Sequence, residues 1–210
     1  MSVVSIIGAG SWGVSLSVLL SNNGHKVRVW SRFEDEIEIL NRDREHKDKL
    51  PGVKVPGNVI FTTDLKDCLE GHDFVVIVVP SQTVRENARL LLPYLSRNDI
   101  VVLCSKGIEE ETGKRLSQVI LEEVPDVRVV ALYGPSHAEE VAVGIPTTVV
   151  AACPDRDAAM ADCAANAGGA AHGRSAGRRA QGKVVGRHGR LHRGRLAGAG
   201  RSGVGAALAA

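Results

Sequence analysis

The chain has 210 residues, 44% of them apolar, and a formal net charge of +2, which is enough apolar material for one large or two small packed domains. Its four cysteines, Cys68, Cys104, Cys153 and Cys163, are scattered, with no C-x-x-C pair and no metal-ligand spacing to the histidines. This excludes a disulfide scaffold and gives no metal site; free thiols in a reducing, cytoplasmic compartment are expected.

The first element is the apolar run Val3 to Ile7, a candidate buried strand. It is too short for the core of a signal peptide and runs directly into a glycine turn, so neither export nor a membrane span is expected. The turn reads "GAGSWG", with Gly8, Gly10 and Gly13 in G-x-G-x-x-G spacing. A helix follows from Trp12 to Asn23, with Val14, Leu16, Val18, Leu19 and Leu20 as its apolar positions and Gly24 placed to cap it in the left-handed region.

Glycines at that spacing are common in small-residue loops, and their position between a strand and a helix is what gives them meaning. In that context Gly8 permits the tight turn, Gly10 lets the backbone approach a pyrophosphate, and Gly13 lets helix and sheet pack closely. The exposed amides of the first helical turn would then hold the phosphates.

Val27 to Trp30 is the second strand. Binders of NAD commonly end that strand in an acidic residue that holds the ribose hydroxyls, whereas this chain places Ser31 and Arg32 there. A cation suits a 2′-phosphate, so NADP(H) is favoured over NAD(H), with nearby Glu34, Asp35 and Glu36 weighing against it.

Three continuous apolar runs come next, Asp73 to Val79, Ile100 to Cys104 and Val127 to Leu132. Unbroken rather than alternating, they have the pattern of strands covered on both faces. Thr83 to Leu95 and Thr112 to Glu123 have helical spacing between them, and Thr147 to Ala151 is one more strand. The order implies a doubly wound, Rossmann-like α/β fold with a mostly parallel sheet. The turns Pro80-Ser81, Ser105-Lys106-Gly107 and Gly134-Pro135-Ser136 each follow a strand, where the ligand crevice of such a sheet lies.

After Pro154 regular structure is hard to read. Residues 161–210 contain 14 Ala, 12 Gly and 8 Arg, no proline and no aromatic. Nine Lys and Arg against Asp162 alone make this stretch +8 and leave the first 160 residues at −6. We therefore expect a dinucleotide-binding domain over 1–155 and an Ala/Gly/Arg-rich tail over 156–210. The tail has too few large apolar residues to offset the entropy of ordering it. Its composition favours an out-of-frame product of a GC-rich gene over a genuine basic extension. An Arg-rich arm could attract nucleic acid, but without aromatics it offers only salt-sensitive attraction, so nucleic acid is not the expected partner.

Four motifs in order, "GAGSWG", "VVPSQTVRE", "CSKGIEEETGKRLSQV" and "YGPSHAEEVAVGIPTTVV", resemble the N-terminal domain of bacterial NAD(P)-dependent glycerol-3-phosphate dehydrogenase from about Ser2 to Met160. The 6-phosphogluconate and 3-hydroxyacyl-CoA dehydrogenases have similar first domains but fit "SKGIE" and "GPSHAEEV" less well. The resemblance implies reversible hydride transfer between a nicotinamide cofactor and glycerol 3-phosphate or dihydroxyacetone phosphate, in service of phospholipid synthesis. It implies that Ser11, Trp12, Arg32 and Ala138 contact the cofactor, that Lys106 touches cofactor and substrate, and that Gly134 and Ser136 bind glycerol 3-phosphate. It also implies a homodimer for intact relatives. Read from the residues alone, Lys106 is equally a surface lysine, and Ser136 is a candidate N-cap of the next helix.

His137 stands where many relatives have Phe. Its expected role is packing, and it is not assigned as a catalytic base. The family's helical second domain carries a catalytic lysine, an aspartate and a Ser-Arg-Asn group, none of which is found after Met160. Lys183 falls in about the right place among neighbours that do not match, so no catalytic residue is assigned. The chain is accordingly expected to bind cofactor and to turn over weakly or not at all. A non-catalytic dinucleotide-binding remnant and a basic-tailed nucleic-acid binder are the alternatives.

Overall fold

A computed structural model describes residues 1–134, 136–145, 147–154, 157 and 161, with the backbone of 183–188. The elements are β1 (Val3–Ile7), α1 (Ser11–Asn22), β2 (Lys26–Trp30), α2 (Glu34–Asp43), β3 (Ile60–Thr62), α3 (Leu65–Leu69) and β4 (Phe74–Ile77). They continue with α4 (Val84–Leu91), β5 (Ile100–Leu103), α5 (Leu116–Glu123), β6 (Arg128–Tyr133), α6 (Ala138–Ala142), β7 (Thr147–Ala152) and β8 (Lys183–His188).

One sheet runs in the order β3-β2-β1-β4-β5-β6-β7-β8. Pairings from β3 through β6 are parallel. The order therefore reverses between β1 and β4, which is where a doubly wound sheet opens a crevice beyond its strand ends.

The continuous apolar runs are explained by burial on two faces. Val4, Ile6, Val76 and Val102 belong to the core beneath α1, whereas Ile7, Val75, Ile77, Val101 and Leu103 join Val84, Ala88, Leu91, Leu116 and Ile120 in a second core beneath α4 and α5. Successive side chains point to opposite faces, so the central strands β4 and β5, covered on both, carry apolar residues at every position. Burying one such Val, Leu or Ile contributes about 1.5–3 kcal/mol.

Several boundaries differ from the sequence reading. The segment Thr83 to Leu95 is not one helix: α4 lies between short 3₁₀ turns at Ser81–Thr83 and Leu92–Tyr94. Pro93, which has no backbone N–H, sits in the second of these and ends the α-helical ladder. Likewise α5 starts at Leu116 rather than Thr112, because Ile108 and Arg115 pair in an isolated bridge that closes the intervening residues into a turn.

The strand expected from Thr147 is present, but it pairs antiparallel with β6. Beyond it β8 pairs antiparallel with β7, so residues 183–188 form a strand within the stretch expected to be unstructured. The remainder of that expected tail, apart from 157 and 161, lies outside the described residues. Gly24 takes the left-handed conformation anticipated for it, with φ +86° after α1.

Among the described residues no helix is long and apolar enough to cross a membrane.

Candidate functional site

Beyond the carboxyl ends of β1 and β4 lies a cleft of about 710 Å³. The glycine turn forms its floor. Gly8 has φ +118°, and a Cβ there would lie 2.5 Å from the carbonyl oxygen of Val78. At Gly13 a Cβ would lie 2.0 Å from the carbonyl oxygen of Gly8, so only glycine lets α1 begin so close to the turn. Gly10 differs from both, since a Cβ there would meet nothing within 4 Å. Two glycines are thus required by packing, and the middle one faces open space.

Gly10 precedes α1 and gives it no side-chain cap. The N–H groups of the first helical turn have no intrahelical acceptor in any α-helix, and they carry the positive end of the helix dipole. The turn consequently presents donors and partial positive charge to the cleft.

Gly8, Gly10, Ser11, Trp12, Arg32, Lys106, Ser136 and Ala138 all line the cleft. Gly13 and Gly134 do not. Gly13 acts in packing, as the contact with Gly8 shows, and Gly134 lies at the end of β6, while Pro135 falls outside the described residues.

The expected cap of α6 is also corrected. The residue before the helix is His137, with no side-chain cap bond, rather than Ser136. His137 is exposed and lines the cleft, so it does not pack into the core as expected. Ser15, buried within α1, fixes this wall by donating from Oγ to the carbonyl oxygen of Ala138 at 2.7 Å.

At the end of the cleft beyond β2, Lys49 and His46, which the sequence did not single out, meet Glu36, which it gave only as one nearby acid. Ser31 Oγ donates to Glu36 Oε2 at 2.7 Å, and Lys49 Nζ donates to Glu36 Oε1 at 2.6 Å. His46 Nε2 lies 3.1 Å from the same Oε1. Burial works to raise the Glu36 pKa, but the hydrogen bonds from Lys49, Ser31 and His46 prevail and hold it below the ordinary value. Arg32, which lines the cleft, pairs with Glu86 at 3.0 Å.

Of the Lys and Arg side chains that line the cleft among the described residues, Arg32 and Lys49 therefore have carboxylate partners. Lys106 is exposed and makes no ion pair among the described residues, which leaves its charge available to an anion. Glu36 was legible only as one acid among three after β2. Lys49 comes from the segment between α2 and β3, which has no periodic pattern to place it.

Residues 3–159 match the family model described as the NAD-dependent glycerol-3-phosphate dehydrogenase N-terminus. A glycerol-3-phosphate dehydrogenase [NAD(P)+] of Agathobacter rectalis is 50% identical over 151 residues, covering 72% of this chain and 45% of the relative. One from Moorella thermoacetica is 49% identical over 156 residues, covering 74% and 46%. The crystal structure of a glycerol-3-phosphate dehydrogenase from Coxiella burnetii superposes with a TM-score of 0.74 at 30% identity, covering 78% of this chain and 50% of that one. The chain spans about half the length of the relatives it matches.

Proposed function

The chain belongs to the NAD-dependent glycerol-3-phosphate dehydrogenase family through that family's N-terminal domain, and from this premise we propose that residues 1–155 form a nicotinamide dinucleotide-binding domain. One observation carries the reading: Gly8 and Gly13 are sterically required, whereas Gly10 faces the open cleft at the uncapped start of α1. A pyrophosphate fits such a cradle, because a bare backbone and unpaired amides meet it at the positive end of a helix.

In this reading Gly8, Gly10, Ser11, Trp12 and Gly13 shape the phosphate turn, and Arg32 and Ala138 bound the rest of the dinucleotide. NADP(H) is the preferred cofactor and NAD(H) the weaker one, since Arg32 rather than an acid follows β2. Lys106 faces both cofactor and substrate, and Ser136 with Gly134 contacts glycerol 3-phosphate or dihydroxyacetone phosphate.

The reaction is the interconversion of those two phosphates, serving glycerophospholipid synthesis in the cytoplasm. The nicotinamide ring, when bound, supplies or accepts the hydride. This chain's residues hold the two reactants together: the glycine turn fixes the pyrophosphate, and Lys106 brings positive charge to the anionic substrate. No proton-transferring residue is assigned on the described residues, so we propose that the 210-residue chain binds cofactor with little or no turnover.

The test is an NADPH-dependent assay of dihydroxyacetone phosphate reduction on the full chain, with cofactor binding followed in parallel by fluorescence. Saturable NADPH binding abolished by Gly10→Asp supports the reading. Binding that is absent, or indifferent to Gly10→Asp, overturns it.

A further inference from the structure

The loop after β5 carries Lys106, and it is fastened on both sides of that residue but not through the lysine itself. On the near side Ser105 Oγ donates to the carbonyl oxygen of Val79 at 2.6 Å. On the far side Gln82 bonds the loop backbone twice. Its Nε2 donates to the carbonyl oxygen of Ile108 at 3.1 Å, and its Oε1 accepts from the amide of Glu110 at 3.0 Å.

Beside these bonds Arg85 forks onto Glu109, with Nε to Oε1 at 2.7 Å and Nη2 to Oε2 at 2.8 Å. Thr112 Oγ1 donates to the same Oε2 at 2.5 Å, and Glu109 is only 7% exposed. The Glu109 backbone closes the loop further, its amide donating to Lys114 O at 3.0 Å and its carbonyl accepting from Gly113 at 2.8 Å.

These fastenings do not form a second anion site. Arg85 also meets Glu122 and Glu123, Arg89 meets Glu123, and Lys114 meets Glu122. Every cation of the cluster is already matched by a carboxylate. A bidentate Arg–carboxylate fork adds geometric definition as well as energy. Its position, three residues along from Lys106, the cleft cation without an ion pair among the described residues, indicates what that definition serves.

We propose that Gln82 and Glu109, the latter through Arg85, are positioning residues that fix where Lys106 projects into the cleft. The inference rests on the dinucleotide-binding reading above. A lysine has a long, flexible stem, so its attraction for a bound anion depends on how well its Cα is held; a loosened loop must be ordered at the moment of binding. Gln82 and Glu109 touch neither the cofactor turn nor the lysine head, and they act through the loop backbone.

The test is a double-mutant cycle on the full chain, read as NADPH affinity by fluorescence titration. Lys106→Met is made in the parent, in Gln82→Leu and in Glu109→Gln. In the parent it weakens binding about tenfold, the size of a lost charged hydrogen bond. In either background it costs less than about twofold, because the displaced lysine has little left to lose.

A purely structural role would leave the Lys106→Met factor the same in all three, and that result overturns the proposal. So does a parent in which Lys106→Met has no effect. Gln82 is exposed and its substitution spares the core, so the cycle holds even if Glu109→Gln fails to fold. Gly10→Asp separates the two readings. If it leaves NADPH binding intact, the dinucleotide reading itself fails; if it abolishes binding while the lysine factor is constant, only the positioning role fails.

Discussion

Arg32 Nη1 lies 3.0 Å from Glu86 Oε1, which joins the residue expected to meet a 2′-phosphate to the first turn of α4. A phosphate arriving at Arg32 has to compete with this carboxylate. The side chains are 37% and 58% exposed, so the pair is worth at most about 1 kcal/mol. Glu86→Gln is therefore expected to strengthen NADPH binding by about two- to fivefold and leave NADH unchanged. Arg32→Gln should do the reverse to NADPH alone. Parallel titrations with the two cofactors check this, and an equal shift for both would place Arg32 away from the 2′-phosphate.

That pair also shows where sequence reading stops. The strands were legible because covering a sheet on both faces demands unbroken apolar runs such as "FVVI" and "IVVL". The glycine turn was legible because its spacing is local and Gly13 packs on Gly8 within one short segment. The residue that presses on Gly8 itself, Val78, comes from beyond β4 and was not announced by that spacing. Arg32 and Glu86 stand 54 residues apart, and Lys49 reaches Glu36 from 13 residues away, so no periodicity announces either pair. The start of α5 was missed for a similar reason. The spacing from Thr112 is helical, but Arg85 on α4 and the bridge from Ile108 to Arg115 hold those residues in a turn.

The two kinds of glycine in the turn should separate experimentally. Gly13→Ala places a methyl 2.0 Å from the carbonyl oxygen of Gly8, backbone that cannot give way without moving the start of α1. Overpacking of this kind costs about 1–3 kcal/mol or more, visible as a lower urea midpoint. Gly10→Ala meets nothing within 4 Å and should unfold at the parent's midpoint. Its NADPH affinity should nevertheless fall, because the added methyl occupies the open side of the turn. If Gly10→Ala binds as the parent does, the pyrophosphate does not lie against Gly10.

Acid should loosen the Lys106 loop over a defined window. The hydrogen bonds from Arg85 and Thr112 lower the Glu109 pKa from an ordinary 4.5 to about 2. A carboxylate with a depressed folded-state pKa contributes stability that is fully present above its unfolded value and is lost as pH falls through the folded one. The difference in Tm between the parent and Glu109→Gln is thus expected to be constant above about pH 5.5 and to close between about 4.5 and 2. Thermal melts of both proteins across that range check it. A gap that persists at the acid end would mean that the fork acts through packing rather than charge.

Two buried serines on α1 make a final comparison, because each donates a bond of 2.7 Å but to a different kind of acceptor. Ser17 Oγ bonds the carbonyl of Val14 in its own helix, an oxygen that the helix ladder also serves. Ser17→Ala should change stability by less than about 0.5 kcal/mol, since alanine favours the helix as much as the lost bond disfavours the change. Ser15 Oγ instead reaches Ala138 at the start of α6, joining α1 to the wall that carries Ser136 and His137 into the cleft. Ser15→Ala should cost about 1–2 kcal/mol, a fall in Tm of several degrees for a domain of this size, roughly 2–4 °C per kcal/mol. It should also weaken NADPH binding modestly, whereas Ser17→Ala should not, because only Ser15 fixes the wall bearing Ala138. Equal effects of the two substitutions on binding would show that the α6 wall is held by the apolar contacts with α1 and owes nothing to this hydrogen bond.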